Sequence, residues 1–325
     1  MARRFVDVTE RAIYLRSIPV AAELEPRVLH LIALSLEERS FEAGELLMRA
    51  GEAVDGLHLI THGEVTLRKG DAEVGRLKPP QSIGFLDILA RSDGSYDGVA
   101  TGPTRTLELR ADRLIELMED HFSLLTATLR YAAERVLAEM QELPQQALGI
   151  APEVMPIPIP DRPLDLVERV LLMRHMAVFR KTNVNALSVL AEAMPELRVA
   201  AGTVLFERGA APTWTAFLVR GTVRCTAEDG RTFVYGPGTA AGGVESLAGK
   251  LRWYTAVAET DLVYLRGSAD ALVDLMEDNF ELGRDFIAML AMGLKMMMAK
   301  KLAAGMGGLD KKREVSGLGA VPVGA

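Results

Sequence analysis

The 325-residue chain has one cysteine, which excludes a disulfide framework within it and leaves no thiolate set for a zinc cluster. It reads as a protein of a reducing cytoplasm. Nothing reaches about 18 uninterrupted apolar residues, the length that marks a spanning helix. The nearest run, 286–299, is broken by Lys295, so no transmembrane segment is expected. Two arginines near the start are followed by no apolar stretch, so no secretory signal is expected. An excess of positive charge is also missing: 37 Lys and Arg face 44 Asp and Glu, a net charge of −7. That balance argues against nucleic acid as a partner, because clustered Lys and Arg supply such affinity. No nucleophile elbow, phosphate-binding Walker loop or zincin helix occurs, so no catalytic residue is assigned and no enzyme is expected.

The histidines are few as well. His58 and His62 stand four apart in a strand-like segment, too widely spaced for chelation from one strand face, so no metal site is expected. Cys225 reads as a small buried apolar residue. With 49% hydrophobic and 25% charged residues the chain can bury ordinary globular cores.

What is present is a duplication. A shift of 158 lays DVTERAIYLR (7–16) over DLVERVLLMR (165–174) and LMEDHF (117–122) over LMEDNF (275–280). It also pairs Gly51 with Gly209, Gly63 with Gly221 and Gly84 with Gly242. An ungapped register of that length means two copies of one domain. Each copy opens with a helical stretch, continues as short alternating segments separated by glycines, and closes with a long helix, a pattern of a β-sandwich or small barrel with flanking helices. The expected boundaries are 1–143 for domain 1, 144–163 for a Pro-rich semi-rigid linker, 164–305 for domain 2 with a Met-rich closing helix, and 306–325 for a flexible tail.

FEAGELLMRAGEAVDGLHLITHGEVTL (41–67), repeated as VAAGTVLFERGAAPTWTAFLVRGTVRC (199–225), resembles the first strands of cyclic-nucleotide-binding domains, as in catabolite-activator-type regulators, kinase regulatory subunits and cyclic-nucleotide-gated channels. The resemblance implies an α+β fold of two tandem β-rolls of the jelly-roll or double-stranded β-helix type, each flanked by helices. It also implies a ligand, cAMP or cGMP, whose phosphate is held by a Gly-rich turn and an arginine, with an acidic side chain on the ribose. In GGVESLAGKLRWYTAVAET (242–260) the resemblance places Arg252 at the phosphate position, with Thr255 near it, Gly242 and Gly243 at the close backbone approach, and Glu245 two residues beyond the family's acidic position. Glu245 either replaces that residue or caps the short helix. No other cofactor is implied.

Copy 1 departs further. In SIGFLDILARSDGSYDGVAT (82–101) Ser95 falls closest to the arginine position, Phe85 or Leu86 fills the acidic position, and Asp87, Asp93 and Asp97 surround the turn. Residues 1–143 hold 17 basic and 24 acidic groups, whereas 144–325 hold 20 of each, so the whole net charge lies on copy 1. A phosphodiester would meet repulsion there, and copy 1 is expected to be structural.

The stretch 279–308 holds six methionines. Its apolar arc is wider than one barrel covers, and Met-rich faces adapt to irregular partners. Helix 281–303 is therefore expected to dock a second copy or another protein; packing within the chain and membrane-surface contact are the alternatives. About 20 residues follow it, too few for a helix-turn-helix, so no DNA-binding output is expected. Two functions stay open: a regulatory protein that binds a cyclic nucleotide through domain 2, or an assembly scaffold with degenerate pockets. An open cavity bordered by Arg252 would favour the first, and a pocket filled by Trp253 or Phe85 the second.

Overall fold

The structure is a computed structural model that describes residues 7–145, 148, 155, 157–180 and 182–303. The expected tail 306–325 and most of the expected linker's middle lie outside the described residues.

Helices α1 (Val8–Leu15), α2 (Pro19–Ala22) and α3 (Pro26–Ser35) precede strands β1 (Glu37–Phe41), β2 (Leu46–Met48), β3 (Gly56–His62), β4 (Val65–Lys69), β5 (Ala72–Leu77) and β6 (Ser82–Ile83). The short helix α4 (Phe85–Ala90) follows, then β7 (Asp97–Ala100), β8 (Thr104–Arg110), α5 (Ala111–Asp120) and α6 (Phe122–Glu142). The second copy repeats the order: α7 (Leu166–His175), α8 (Val184–Ala193), β9 (Glu196–Val199), β10 (Val204–Phe206), β11 (Trp214–Arg220), β12 (Val223–Ala227), β13 (Thr232–Tyr235), β14 (Ala240–Ala241), α9 (Gly243–Ala248), β15 (Tyr254–Ala258), β16 (Leu262–Ser268), α10 (Ala269–Asp278) and α11 (Phe280–Ala303).

Each β-roll is two four-stranded sheets. Domain 1 has the orders β1-β8-β3-β6 and β2-β7-β4-β5, and domain 2 has β9-β16-β11-β14 and β10-β15-β12-β13. Every pairing is antiparallel, so the repeat is preserved strand for strand and the two tandem β-rolls with flanking helices are the observed fold. The shared register extends to the caps. Asp7 accepts from the backbone N–H of Thr9 at the start of α1, and Asp165 forms a capping box with Glu168 at the start of α7, satisfying donors that a helix N-terminus leaves bare. Gly63, at φ +85°, turns the β3–β4 hairpin where an added Cβ would sit 2.6 Å from Thr104 Oγ1, so both the conformation and the space require glycine.

The cores differ in kind. Domain 1 packs aliphatic Ile60, Val65, Leu67, Leu77 and Ile83; domain 2 packs Phe206, Phe233, Tyr235 and Tyr254 among smaller residues, Cys225 included. Two compact units divide the described chain: one runs up to Tyr131 and includes the residues from Ala291 on, and the other runs from Ala132 to Leu290. Among the described residues no helix is long and apolar enough to cross a membrane. Leu282, Phe286, Ile287, Leu290, Ala291 and Leu294 of α11 are buried within the chain, leaving Met292 and Met296 exposed, so the outward apolar arc is narrower than the composition suggested.

Candidate functional site

In both domains the chain leaves a two-residue strand, turns at a left-handed glycine, makes a six-residue helix and enters the next strand. Gly242 (φ +77°) starts α9 and Gly249 (φ +64°) ends it; Gly84 (φ +95°) and Arg91 (φ +52°) do the same for α4. Behind each helix the same backbone bond closes the turn, Lys250 N–H to the Glu245 carbonyl and Ser92 N–H to the Asp87 carbonyl, each 3.1 Å. These segments, the cassettes of the two domains, are the stretches in which the resemblance leads one to expect a phosphate to be held.

In domain 2 the structure brings three of the expected ligand residues, Gly242, Glu245 and Arg252, together and closes them on one another. Arg252 is 1% exposed. Its guanidinium donates to the backbone carbonyls of Gly242 and Trp214 and lies over the Phe206 ring, 4.6 Å from the centroid. Glu245, 2% exposed, puts Oε2 3.9 Å from Arg252 Nη1. The Gly242 N–H donates to the Tyr254 hydroxyl at 2.8 Å, so the amide that would face a phosphate already has an acceptor. Gly242 packs directly on the guanidinium, where a Cβ would collide. Gly243 opens α9 beside Thr215. Thr255 lies apart from this knot, its Oγ1 accepting from the Arg208 N–H at 3.1 Å and tying down the loop before β11.

Burial dominates the electrostatics. It pushes the Glu245 carboxyl pKa up, opposed by its own backbone and by Arg252, and draws the Arg252 pKa down, opposed first by Glu245. The Trp253 indole faces Glu245 outside full hydrogen-bond geometry, so Glu245 Oε1, Trp253 Nε1 and Arg252 Nε complete no hydrogen bond. Aromatic rings pack beside this knot: Trp253 stacks on Phe233 at 5.4 Å, and Tyr254 meets Phe233 edge-on at 5.0 Å and Phe206 at 5.5 Å. Sequence reasoning located Arg252 and Glu245 and named Trp253 as a side chain that could fill the pocket, but it missed Phe206, Phe233 and Tyr254, although the aromatic residues at 233, 235, 253 and 254 were a signal.

Domain 1 differs in a way the local match misplaced. The Gly94 carbonyl accepts from the Gly51 N–H and its N–H donates to the Glu52 carbonyl, as Arg252 does with Gly209 and Ala210. Gly94, and not Ser95, therefore stands where Arg252 stands, and the position has no side chain at all. Asp87, 6% exposed, occupies the place of Glu245 in the short helix. Its Oδ1 accepts from Ser95 Oγ and from Lys295 Nζ, both at 2.7 Å, and Lys295 also donates to Ser92 Oγ. A cavity of about 270 Å³ lies beside this pair. Lys295 was not singled out as a site residue, because it follows Asp87 by 208 residues.

His58 is buried, 3.2 Å from Thr106 Oγ1 and edge-on to Phe41. Among the described residues no group of three His, Cys, Asp or Glu could hold a metal.

The family model of the cyclic nucleotide-binding domain matches residues 38–121 and 196–279, more than half of the chain and in the same 158-residue register. The potassium channel SKOR from Arabidopsis thaliana is 27% identical over 114 residues, which cover 34% of this chain and only 14% of the channel. Among solved structures, the regulatory subunit of a cAMP-independent protein kinase A from Trypanosoma brucei is 16% identical, with 86% of this chain and 92% of that chain covered and a TM-score of 0.35. The regulatory domain of Toxoplasma gondii protein kinase A, crystallised with cAMP, is 13% identical, with 93% and 98% covered and a TM-score of 0.35. The two matched segments, which span the strands of the two β-rolls, show that this chain belongs to the cyclic nucleotide-binding domain family, with two such domains in tandem.

Proposed function

We propose that this is a non-enzymatic regulatory or assembly protein whose domain 2 uses the phosphate cassette as an internal tie and acts without a cyclic nucleotide there. One observation carries the reading: Arg252, the residue a phosphate would need, is wholly buried and already bonded to two carbonyls of its own domain. Withdrawing it to serve a ligand would strand Glu245 in the interior. Removing one member of a buried ion pair costs about 3–5 kcal/mol, whereas a hydrogen bond to a charged group returns about 1.5–3 kcal/mol. The competing reading, in which cAMP or cGMP binds domain 2 through Gly242, Gly243, Glu245, Arg252 and Thr255, draws its support from family membership and requires that withdrawal.

In this reading contacts are made through protein surfaces, and Met292 and Met296 on α11 are exposed apolar side chains that could take part. Calorimetric titration of the full chain with cAMP and cGMP separates the readings. Absence of saturable heat at millimolar ligand is expected; saturable binding abolished by Arg252→Ala would overturn the proposal.

A further inference from the structure

Asp87 and Glu245 occupy the same cassette position and both are buried, where the charged form of a carboxyl needs a paired cation. Domain 2 supplies Arg252 from its own cassette. Domain 1 has Gly94 at that place, and the cation arrives instead on α11 as Lys295. The Lys295 side chain therefore shows what this cassette accepts: a primary ammonium on a hydrocarbon stem, received by Asp87 Oδ1 and Ser92 Oγ.

The adjoining cavity is walled by Leu67, Leu77, Ile83, Phe85, Tyr96 and Met298. Lys69, Asp87, Ser95 and Lys295 supply its polar lining, and Ser82 also lines it, 1% exposed, with a hydroxyl that has no hydrogen-bond partner, which marks an unmet polar contact. At about 270 Å³ the space falls just below the roughly 300–1,000 Å³ of drug-sized sites, room for one ring and a short chain. The net −7 of residues 1–143 draws cations and repels phosphodiesters.

We propose that the domain 1 cassette is a binding site for a small primary amine with an apolar body, and that Lys295 is its tethered stand-in. An entering ammonium takes the place of Lys295 on Asp87 while its body fills the chamber, and the released Lys295 frees the last turns of α11. The tether makes Lys295 a strong competitor, so the apparent affinity is reduced by the fraction of molecules in which the latch is closed.

The test is a titration of the full chain, labelled with ¹³C in its methionine methyl groups, with phenethylamine, its uncharged analogue 2-phenylethanol, and cAMP. Met48 and Met298 both line the chamber. Saturable shifts of these two methyls with phenethylamine alone are expected, at least about tenfold tighter in Lys295→Met, corresponding to a latch about 90% closed. The double variant Lys295→Met/Asp87→Asn, which removes both charges, is expected to lose the amine. Equal response to the alcohol, saturable response to cAMP, no response to the amine in the unaltered chain and Lys295→Met, unchanged affinity in Lys295→Met, or retained binding in the double variant would each overturn the proposal. Comparing amine with alcohol on the unaltered protein keeps the test decisive if a variant misfolds.

Discussion

Replacing Arg252 by methionine keeps the hydrocarbon stem and removes the guanidinium. The Gly242 and Trp214 carbonyls lose their charged donor, Phe206 loses the cation over its ring, and Glu245 stays buried without its partner. Breaking a buried pair from one side costs about 3–5 kcal/mol, and burial already pushes the Glu245 carboxyl towards its neutral form, so uptake of a proton holds the loss to the lower part of that range. Glu245→Gln alone leaves Arg252 its two carbonyls and should cost about 1–3 kcal/mol. The double variant no longer carries a stranded charge and should be more stable than the sum of the single losses implies, by about 0.5–3 kcal/mol. Urea unfolding followed by tryptophan emission is a suitable assay, because both tryptophans, Trp214 and Trp253, adjoin the knot. A loss below about 1 kcal/mol for Arg252→Met, with strictly additive variants, would refute the idea that this arginine is a structural tie.

Gly242→Ala should destabilise domain 2 by more than about 1 kcal/mol, since φ is +77° and the new methyl meets the guanidinium; Gly249→Ala, at φ +64° with nothing within 4 Å, should cost less in the same unfolding assay. His58 has its pKa lowered from 6.5 mainly by burial, with Glu108 opposing and Arg39 adding. The unfolded chain therefore binds more protons below about pH 6.5, so this contribution is complete above that value and is lost as pH falls; thermal unfolding from pH 7 to 5 should show the decline, and His58→Gln should flatten it. Burial, with the Glu245 charge adding, raises the Cys225 thiol pKa, so Cys225 should resist a disulfide reagent in the folded protein and react only in urea.

The β-rolls were legible because their determinants are local and occur twice: hairpin glycines, alternating apolar residues and helix caps all recur at 158 residues. Arg252 was found by pattern, but its direction was not, because its acceptors on Gly242 and Trp214 and the ring of Phe206 come together only when the sheets close. The repeat register itself pairs Arg252 with Gly94, whereas the local motif points to Ser95, one residue on. The pairing of Asp87 with Lys295 spans 208 residues and has no local signature, although aligning Asp87 with Glu245 would have exposed an acid in need of a cation. Composition shows that α11 is apolar over a wide arc, but not that Leu282, Phe286, Ile287, Leu290 and Leu294 are buried by the chain itself.

The central claim is that the domain 2 cassette is occupied by its own arginine, and tryptophan fluorescence reads that cassette directly, since Trp253 stacks on Phe233 beside Glu245 and the Trp214 carbonyl accepts from Arg252. Emission should stay unchanged in wavelength and intensity as cAMP or cGMP is raised to millimolar concentration. A saturable change with either nucleotide, absent in Arg252→Ala, would contradict the account.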